Sequence, residues 1–545
     1  MTDTPHADGA IDTIALSTCT DTLHRIRFPE GSGLASWSLA ELDRRAARVA
    51  RHLHALGLRA RDRIGVMARN RIEWVVLDLA VLKLGAVTAG FEAGRFDPAQ
   101  IVEIYDLRAL FTEDIDSAGA LFDIADVARW GEDASTDGAQ GALHAGYDPA
   151  DICAIKFTSG STGVPKGLEA TVASVERSLD EVQRLFAHSD GDDVLVFLRL
   201  ALLQQRYWVY SALVNGHDVT ISDLDNAAAT AQAAAPTVVM GVPGFYEALR
   251  ARLLERHAGL EADPAARGRA IQTELGGRVR YLWTGSAPCS PAVLEFFNEA
   301  GVPLYEGYGL NETCIVAKNH PGAFRRGSVG QVLPNKTVRF DKDGILIVGS
   351  TSPVNCRYTW CGEGVNAKTF LPTAEVKTWD LGHLDADGFL YIHGRADDVL
   401  SLSSGRNVLV RPIEEALREH PGVHEVVLAG NGQPFLSAVV SPEPTAKAID
   451  VEALLRYMVV LNDRLLPEQR VHALVIADER FSLENDLLTS QFKPRRKDIH
   501  ARYAEALARL YQLAGPRVPA PGRVPVVVRD VGESMPPPHP AARSD

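Results

Sequence analysis

The segment that most limits how this chain can fold is a ten-residue stretch, 158–167, reading TSGSTGVPKG. It follows a β-branched apolar run at 152–157 and precedes a helical pattern that starts near Val172. A strand, a Gly/Ser-rich turn and a helix in that order build a cradle for a polyphosphate. Glycines admit positive φ and close backbone approach, successive N–H groups make an anion-binding concavity, and hydroxyls plus one lysine add donors. The stretch is neither a Walker A loop, because Lys166 follows Pro165 with no second G-K-[ST] frame, nor a G-x-G-x-x-G fingerprint. The competing reading is a flexible Gly/Ser loop, which the strand before it and the helix after it argue against.

Around this loop the pattern is α/β. Short apolar runs at 63–67, 152–157, 194–198, 219–222, 238–241, 279–284 and 303–306 alternate with helical patterns at 40–56, 74–84 and 172–186. Such alternation predicts layered, largely parallel sheets flanked by helices. The run 74–90 is the most apolar, but Asp78 and Lys83 interrupt it, so it reads as a buried helix and not a membrane span. Residues 115–150 are rich in Gly, Ala and Asp and read as a linker or surface stretch. After residue 395 the texture becomes a small α+β unit: helix 411–419, strands 423–428 and 436–440, helix 451–464 and strand 473–476. A Pro-rich end reads as a loosely docked or disordered tail.

The 545 residues carry a formal net charge of −14, so the chain as a whole repels nucleic acid and anionic membranes. Six cysteines form no disulfide framework or zinc-ligand spacing. The acidic N-terminus lacks an apolar signal core. These features together predict a cytoplasmic enzyme acting on small molecules.

Further segments carry chemistry. LYEGYGLNET at 304–313 offers an aromatic face for a base and a hard carboxylate for Mg²⁺ beside phosphates. GSAP at 285–288 has small residues that let backbone approach a planar ligand. TWDLGHLDADGFLYIHGR at 378–395 and ENDLLTSQFKPRR at 484–496 supply an aspartate, an arginine and a lysine.

With the loop, and in this order, these segments resemble the adenylate-forming superfamily of acyl-CoA synthetases, adenylation domains and luciferases, nearest its long-chain-type acyl-CoA ligases. The resemblance covers roughly residues 35 to 510. It implies a large N-terminal domain (1–394), a hinge (395–398, with Asp397 or its neighbour Asp398), a small mobile C-terminal lid (399–513) and the tail (514–545). It also implies ATP, Mg²⁺ and coenzyme A as cofactor and co-substrates, with a carrier protein as an alternative acceptor. By resemblance, Thr158, Ser159, Gly160, Ser161, Thr162, Gly163 and Lys166 hold phosphates. Gly285, Ala287, Pro288, Tyr308, Gly309 and Asn311 surround the adenine and its phosphate. Glu312 holds Mg²⁺, Asp380 accepts from the ribose hydroxyls, Arg395 stands near ribose or phosphate, and Lys493 is the catalytic lysine.

The chain departs from the family where the substrate is read. Asn311 stands in place of Thr, and Trp379 in place of the Gly before the ribose aspartate. Val172 follows Thr171 where many relatives have His. At 198–202 the sequence is LRLAL where relatives read L-P-L-A-H, so Arg199 replaces Pro and Leu202 replaces His. Gln204, Arg206 and Tyr207 follow, and with Arg199 they point to a polar or aromatic substrate. The expected reaction is activation of an aryl or modified carboxylic acid as acyl-AMP and its transfer to coenzyme A. Two other outcomes stay open: an ATP-dependent diazotase that activates nitrite and couples it to an aryl amine, and an inactive ATP-binding scaffold.

Overall fold

The computed structural model describes residues 9–94, 96–137, 143–158, 166–353, 357–443, 449–489, 492–514 and 526–529. They fall into two compact units, one of residues 1–378 with 383–391, the other of residues 379–382 with 392–545.

The first unit holds two large sheets. From edge to edge the nine-stranded one runs Gln331–Val332, Cys314–Lys318, Leu304–Leu310, Tyr281–Thr284, Val238–Met240, Asp193–Val196, Asp218–Ile221, Arg25–Glu30 and Gly33–Ser38. Its interior pairings are parallel and its edges antiparallel. The seven-stranded sheet runs Tyr358–Thr359, Lys166–Thr171, Ile152–Thr158, Val87–Gly90, Arg63–Met67, Ala109–Thr112 and Leu121–Asp123. It is parallel from Ile152–Thr158 onward and antiparallel at the end that carries Tyr358. Interior parallel strands are covered on both faces, which is why they read as unbroken apolar runs.

The helix Ile72–Lys83 is buried on every side except at Glu73, as a helix apolar all round must be. Its two buried charges are paired inside. Asp78 accepts from the Arg206 guanidinium at 2.8 Å and from the Tyr210 hydroxyl at 2.5 Å. Lys83 lies 2.8 Å from Asp43 and donates to the Ile14 carbonyl. One continuous core joins this helix to both sheets through residues such as Ile26, Val66, Trp74 and Val194.

The 115–150 stretch is more ordered than its composition suggests. It contains the edge strand Leu121–Asp123 and the helix Asp126–Glu132, whose Trp130 is buried and stacks on His52 with ring centroids 4.3 Å apart. The helix's seven residues bury only Val127, Trp130 and Gly131, too short a pattern to show a helical period.

The second unit is α+β. Strands Val423–Ala429, Leu436–Pro442, Val471–Ile476 and Val526–Arg529 lie side by side in that order. Helices Arg411–Arg418 and Val451–Arg464 pack their apolar faces on this sheet. Within the stretch read as a tail, Val526–Arg529 pairs in parallel with Val471–Ile476. No described helix is long and apolar enough to cross a membrane.

Candidate functional site

In the first unit the motif residues gather at the carboxyl ends of parallel strands, where ligands bind in open α/β sheets. Thr158 ends its strand, and Lys166 opens the antiparallel strand opposite, in register with it. Ser159, Gly160, Ser161, Thr162 and Gly163 lie outside the described residues. Gly167 has a definite reason to lack a side chain: a Cβ there would come within 2.6 Å of the Thr359 hydroxyl and 2.7 Å of the Trp360 ring.

That contact brings in a residue the sequence reading did not single out. Tyr358 pairs in register with Leu168. Its hydroxyl donates to Glu312 Oε1 at 2.5 Å, and the Lys166 ammonium lies 5.2 Å from its ring centroid. Tyr358 thus ties the last lysine of the loop to the carboxylate of the 304–313 motif. Nothing local in NCRYTW marks it; only the strand pairing brings it there.

The 304–313 motif is a strand that breaks its own ladder. Its register with Cys314–Lys318 shifts between Tyr308 and Gly309, the β-bulge geometry that re-aims side chains near active sites. Gly309 cannot carry a Cβ, which would fall 2.0 Å from the Cys314 carbonyl oxygen. Beyond the bulge, the Thr313 hydroxyl accepts from the Leu310 N–H at 3.1 Å, which closes a tight turn displaying Asn311 and Glu312, both half-buried. Gly285 lies beside this strand: a Cβ on it would sit 3.2 Å from the Gly307 carbonyl. Ser286 takes a left-handed φ of 70°, and Ala287 and Pro288 follow it half-buried.

The residues expected at a substrate pocket separate. Arg199 is ion-paired with Glu92 and keeps 45% of its side chain exposed. Gln204 is half-buried. Arg206 and Tyr207 are each 1% exposed. The Arg206 guanidinium is committed to Asp78, with Trp74 5.2 Å away across its face. As a correction to the pocket expectation, Arg206 is a core ion pair. Residue type alone could not reveal this, because its partner lies 128 positions away.

In the second unit, Asp380, Arg395 and Lys493 form one electrostatic cluster. Asp380 is 5% exposed, and Arg395 approaches it to 3.6 Å. Lys493 is exposed by surface area, yet desolvation of its ammonium lowers its pKa to about 8; Asp380 and Asp398 push the value up, and Arg411 and Arg395 push it down. The short turn Ala396–Asp398 contains Asp397. Its neighbour Asp398 is ion-paired with Arg496, whose Nε lies 3.0 Å from the Asp398 carboxylate, and the same guanidinium donates to Glu414.

Trp379 has a left-handed φ of 64°. This is the conformation that favours glycine, and it costs a bulky side chain roughly 1–3 kcal/mol. A tryptophan therefore holds a backbone conformation that favours glycine. An expected consequence is an inverted order of variants. Trp379→Gly and Trp379→Ala lose the same ring, but the glycine variant unfolds later, by about 1 kcal/mol, because only alanine keeps the left-handed penalty. Thermal denaturation of the two proteins checks this, and alanine being the more stable would refute the assigned backbone.

Residues 18–345 match the AMP-binding enzyme family and residues 397–514 its C-terminal domain. A long-chain-fatty-acid–CoA ligase, FadD15, of Mycobacterium bovis is 29% identical over 458 residues, covering 72% of this chain and 75% of that protein. Among solved structures, the anthranilate CoA ligase AuaEII in complex with anthranoyl-AMP superposes with a TM-score of 0.74 at 19% identity, over 93% of this chain and 100% of that one. The o-succinylbenzoate CoA synthetase of Bacillus subtilis gives 0.73 at 20% identity, over 92% and 98%. The two-sheet fold is shared with these solved structures, and the family matches define an AMP-binding enzyme. The chain belongs to the AMP-binding enzyme family and is an ATP-dependent, AMP-forming ligase of the CoA ligase type.

Proposed function

We infer that the protein activates an aryl or otherwise polar carboxylic acid as an acyl adenylate, releasing pyrophosphate, and passes the acyl group to coenzyme A. The observation that carries this reading is the Lys166–Tyr358–Glu312 cluster beside the bulged Gly309 turn. It offers a cation for phosphate and a carboxylate fixed in orientation by a phenol. Among the described residues no three His, Cys, Asp or Glu side chains gather to hold a metal ion. Mg²⁺ is commonly held by one or two carboxylates together with substrate phosphates. Glu312 would hold it here, and the ion would supply neutralisation of phosphate charge.

The chain's own residues then divide the work. Tyr308 offers its ring to adenine, with Gly285, Ala287 and Pro288 at the edge of the base. Asn311 hydrogen-bonds phosphate in place of the usual Thr. Asp380, held by Arg395, accepts from the ribose hydroxyls. Lys493 meets the charge that builds as a carboxylate oxygen attacks the α-phosphorus and pyrophosphate leaves. No side-chain nucleophile is required; the rate comes from positioning and charge neutralisation. The Arg199–Glu92 pair and half-buried Gln204 favour a polar acid over the plain fatty chain named for the FadD15 relative.

A second reading keeps the ATP chemistry and replaces the acid by nitrite, with an aryl amine as acceptor. It is favoured by Leu202, which stands where the resemblance to long-chain-type ligases leads one to expect histidine. Pyrophosphate release measured over aryl acids, fatty acids and nitrite with aryl amines separates the two. Release that depends on an aryl acid, followed by thiol-dependent AMP formation, supports the ligase to coenzyme A. Release that requires nitrite, with no carboxylate requirement, rejects it.

A further inference from the structure

Lys156 lies on the strand Ile152–Thr158, just before the phosphate loop. It is 6% exposed, and it makes no hydrogen bond or ion pair with the described residues. Burying an ammonium without a partner is costly, and proteins rarely retain one without a use. Other buried lysines of this unit are satisfied. Lys318 donates to the Tyr305 carbonyl at 2.7 Å, and Lys336 to the Thr313 carbonyl and the Ser350 hydroxyl at 3.0 Å each.

The register says which way Lys156 points. It is in register with Gly90 on the neighbouring parallel strand. Gly90 lies so close to Ala201 that a Cβ would come within 2.9 Å of its backbone. In-register residues of adjacent strands share a face, so Lys156 projects beneath the 198–202 segment and the helix Leu203–Asn215. The other face of the same strands is apolar, with Phe91 and Phe157 stacked at 4.2 Å. The charged neighbours of Lys156 are Glu312, Arg206 and Lys336. On the same side, Thr88 Oγ1, Gln205 Oε1 and Arg206 Nη2 are buried with no partner among the described residues. Beside this ammonium the Thr88 hydroxyl and Arg206 Nη2 can donate to an oxyanion, whereas Gln205 Oε1 and the Glu312 carboxylate accept, and open polar atoms of either kind disfavour an alkyl chain.

We propose that Lys156 is the specificity-determining residue of this enzyme, binding an oxyanion of the substrate that is activated. The proposal rests on the adenylation reading above. The oxyanion is either nitrite itself or a carboxylate carried on an aryl acid, and the test separates these sources.

Pyrophosphate release is measured with the full-length protein and with Lys156→Met, using ATP and, in turn, nitrite, phthalate, benzoate and decanoate. Thermal unfolding of both proteins is recorded with the same four compounds. The wild type is expected to prefer nitrite or phthalate. In Lys156→Met the KM for the preferred oxyanion rises on the order of 10- to 100-fold, the loss of one charge-assisted hydrogen bond, while the KM for ATP stays put. The variant itself is expected to melt higher, since a buried ammonium with no partner among the described residues is gone. Preference for nitrite assigns the anion being activated; preference for phthalate over benzoate assigns a second carboxylate. The proposal is overturned if Lys156→Met melts lower with the oxyanion KM unmoved, which makes Lys156 a structural partner of Glu312. It is equally overturned if none of the oxyanions is turned over by, or stabilises, the wild type, or if decanoate is preferred. Failure of the adenylation reading looks different: oxyanions stabilise the wild type more than Lys156→Met, yet no pyrophosphate appears.

Discussion

Replacing Lys493 by alanine is expected to lower adenylate formation by about 10²–10³, the usual effect of removing one group aimed at developing transition-state charge. The loss should fall on kcat, with the KM for ATP nearly unchanged, because a contact made only as charge develops does not contribute to ground-state binding. The pH profile gives an independent check. An ordinary lysine titrates near 10.5, but here desolvation brings the value down to about 8. The ammonium is the working form, so kcat/KM for adenylation should be flat below this value and fall as pH rises through about 8. Lys493→Arg should remove that descending limb, since guanidinium does not titrate there. Pyrophosphate release measured from pH 6 to about 10 decides the matter. An alanine variant with near-normal adenylation, or a wild-type profile flat through pH 9 or so, would reject the assignment of this lysine.

What the sequence could reveal follows from how local each signal is. The helix Val172–Phe186 is legible from its apolar period and from Thr171, whose side chain caps it by accepting from the Ser174 N–H at 3.3 Å. The central strands are legible because burial on both faces leaves them uniformly apolar. The strand Lys166–Thr171 reads as loop, since its glycine and charged residues belong to an antiparallel partner that only the fold supplies. The same holds for the site. Tyr308, Glu312, Asp380 and Lys493 sit in short, ordered motifs. Tyr358 reaches Glu312 across 46 positions, and Lys156 looks like an ordinary strand residue until its register with Gly90 shows what it faces. Arg206 is the converse case, where a charged side chain suggests a binding surface and the fold provides it with a carboxylate instead.

That last residue leads to the largest expected effect on stability. Asp78→Ala leaves the Arg206 guanidinium in the core with its counter-charge gone, and the Tyr210 hydroxyl loses its acceptor at the same time. Arg206 cannot shed its proton to escape, because guanidinium stays charged at any accessible pH. Nor can it turn to solvent from 1% exposure. Breaking a buried pair from one side typically costs about 3–5 kcal/mol, and the cavity left by the carboxylate adds to this. The variant should therefore unfold at clearly lower denaturant, or accumulate poorly when expressed. The double variant Asp78→Leu with Arg206→Met behaves differently. Replacing both charges by apolar groups of similar size removes the desolvation burden with the attraction, and such exchanges are often neutral or stabilising. Most of the lost stability should return, and the double-mutant cycle should give a strong coupling between positions 78 and 206. Denaturant unfolding of the four proteins measures it. Additive effects would mean that the pair is not the unit that holds the Ile72–Lys83 and Leu203–Asn215 helices together. Recovery of stability in the double variant would show that the Asp78–Arg206 pair serves the core.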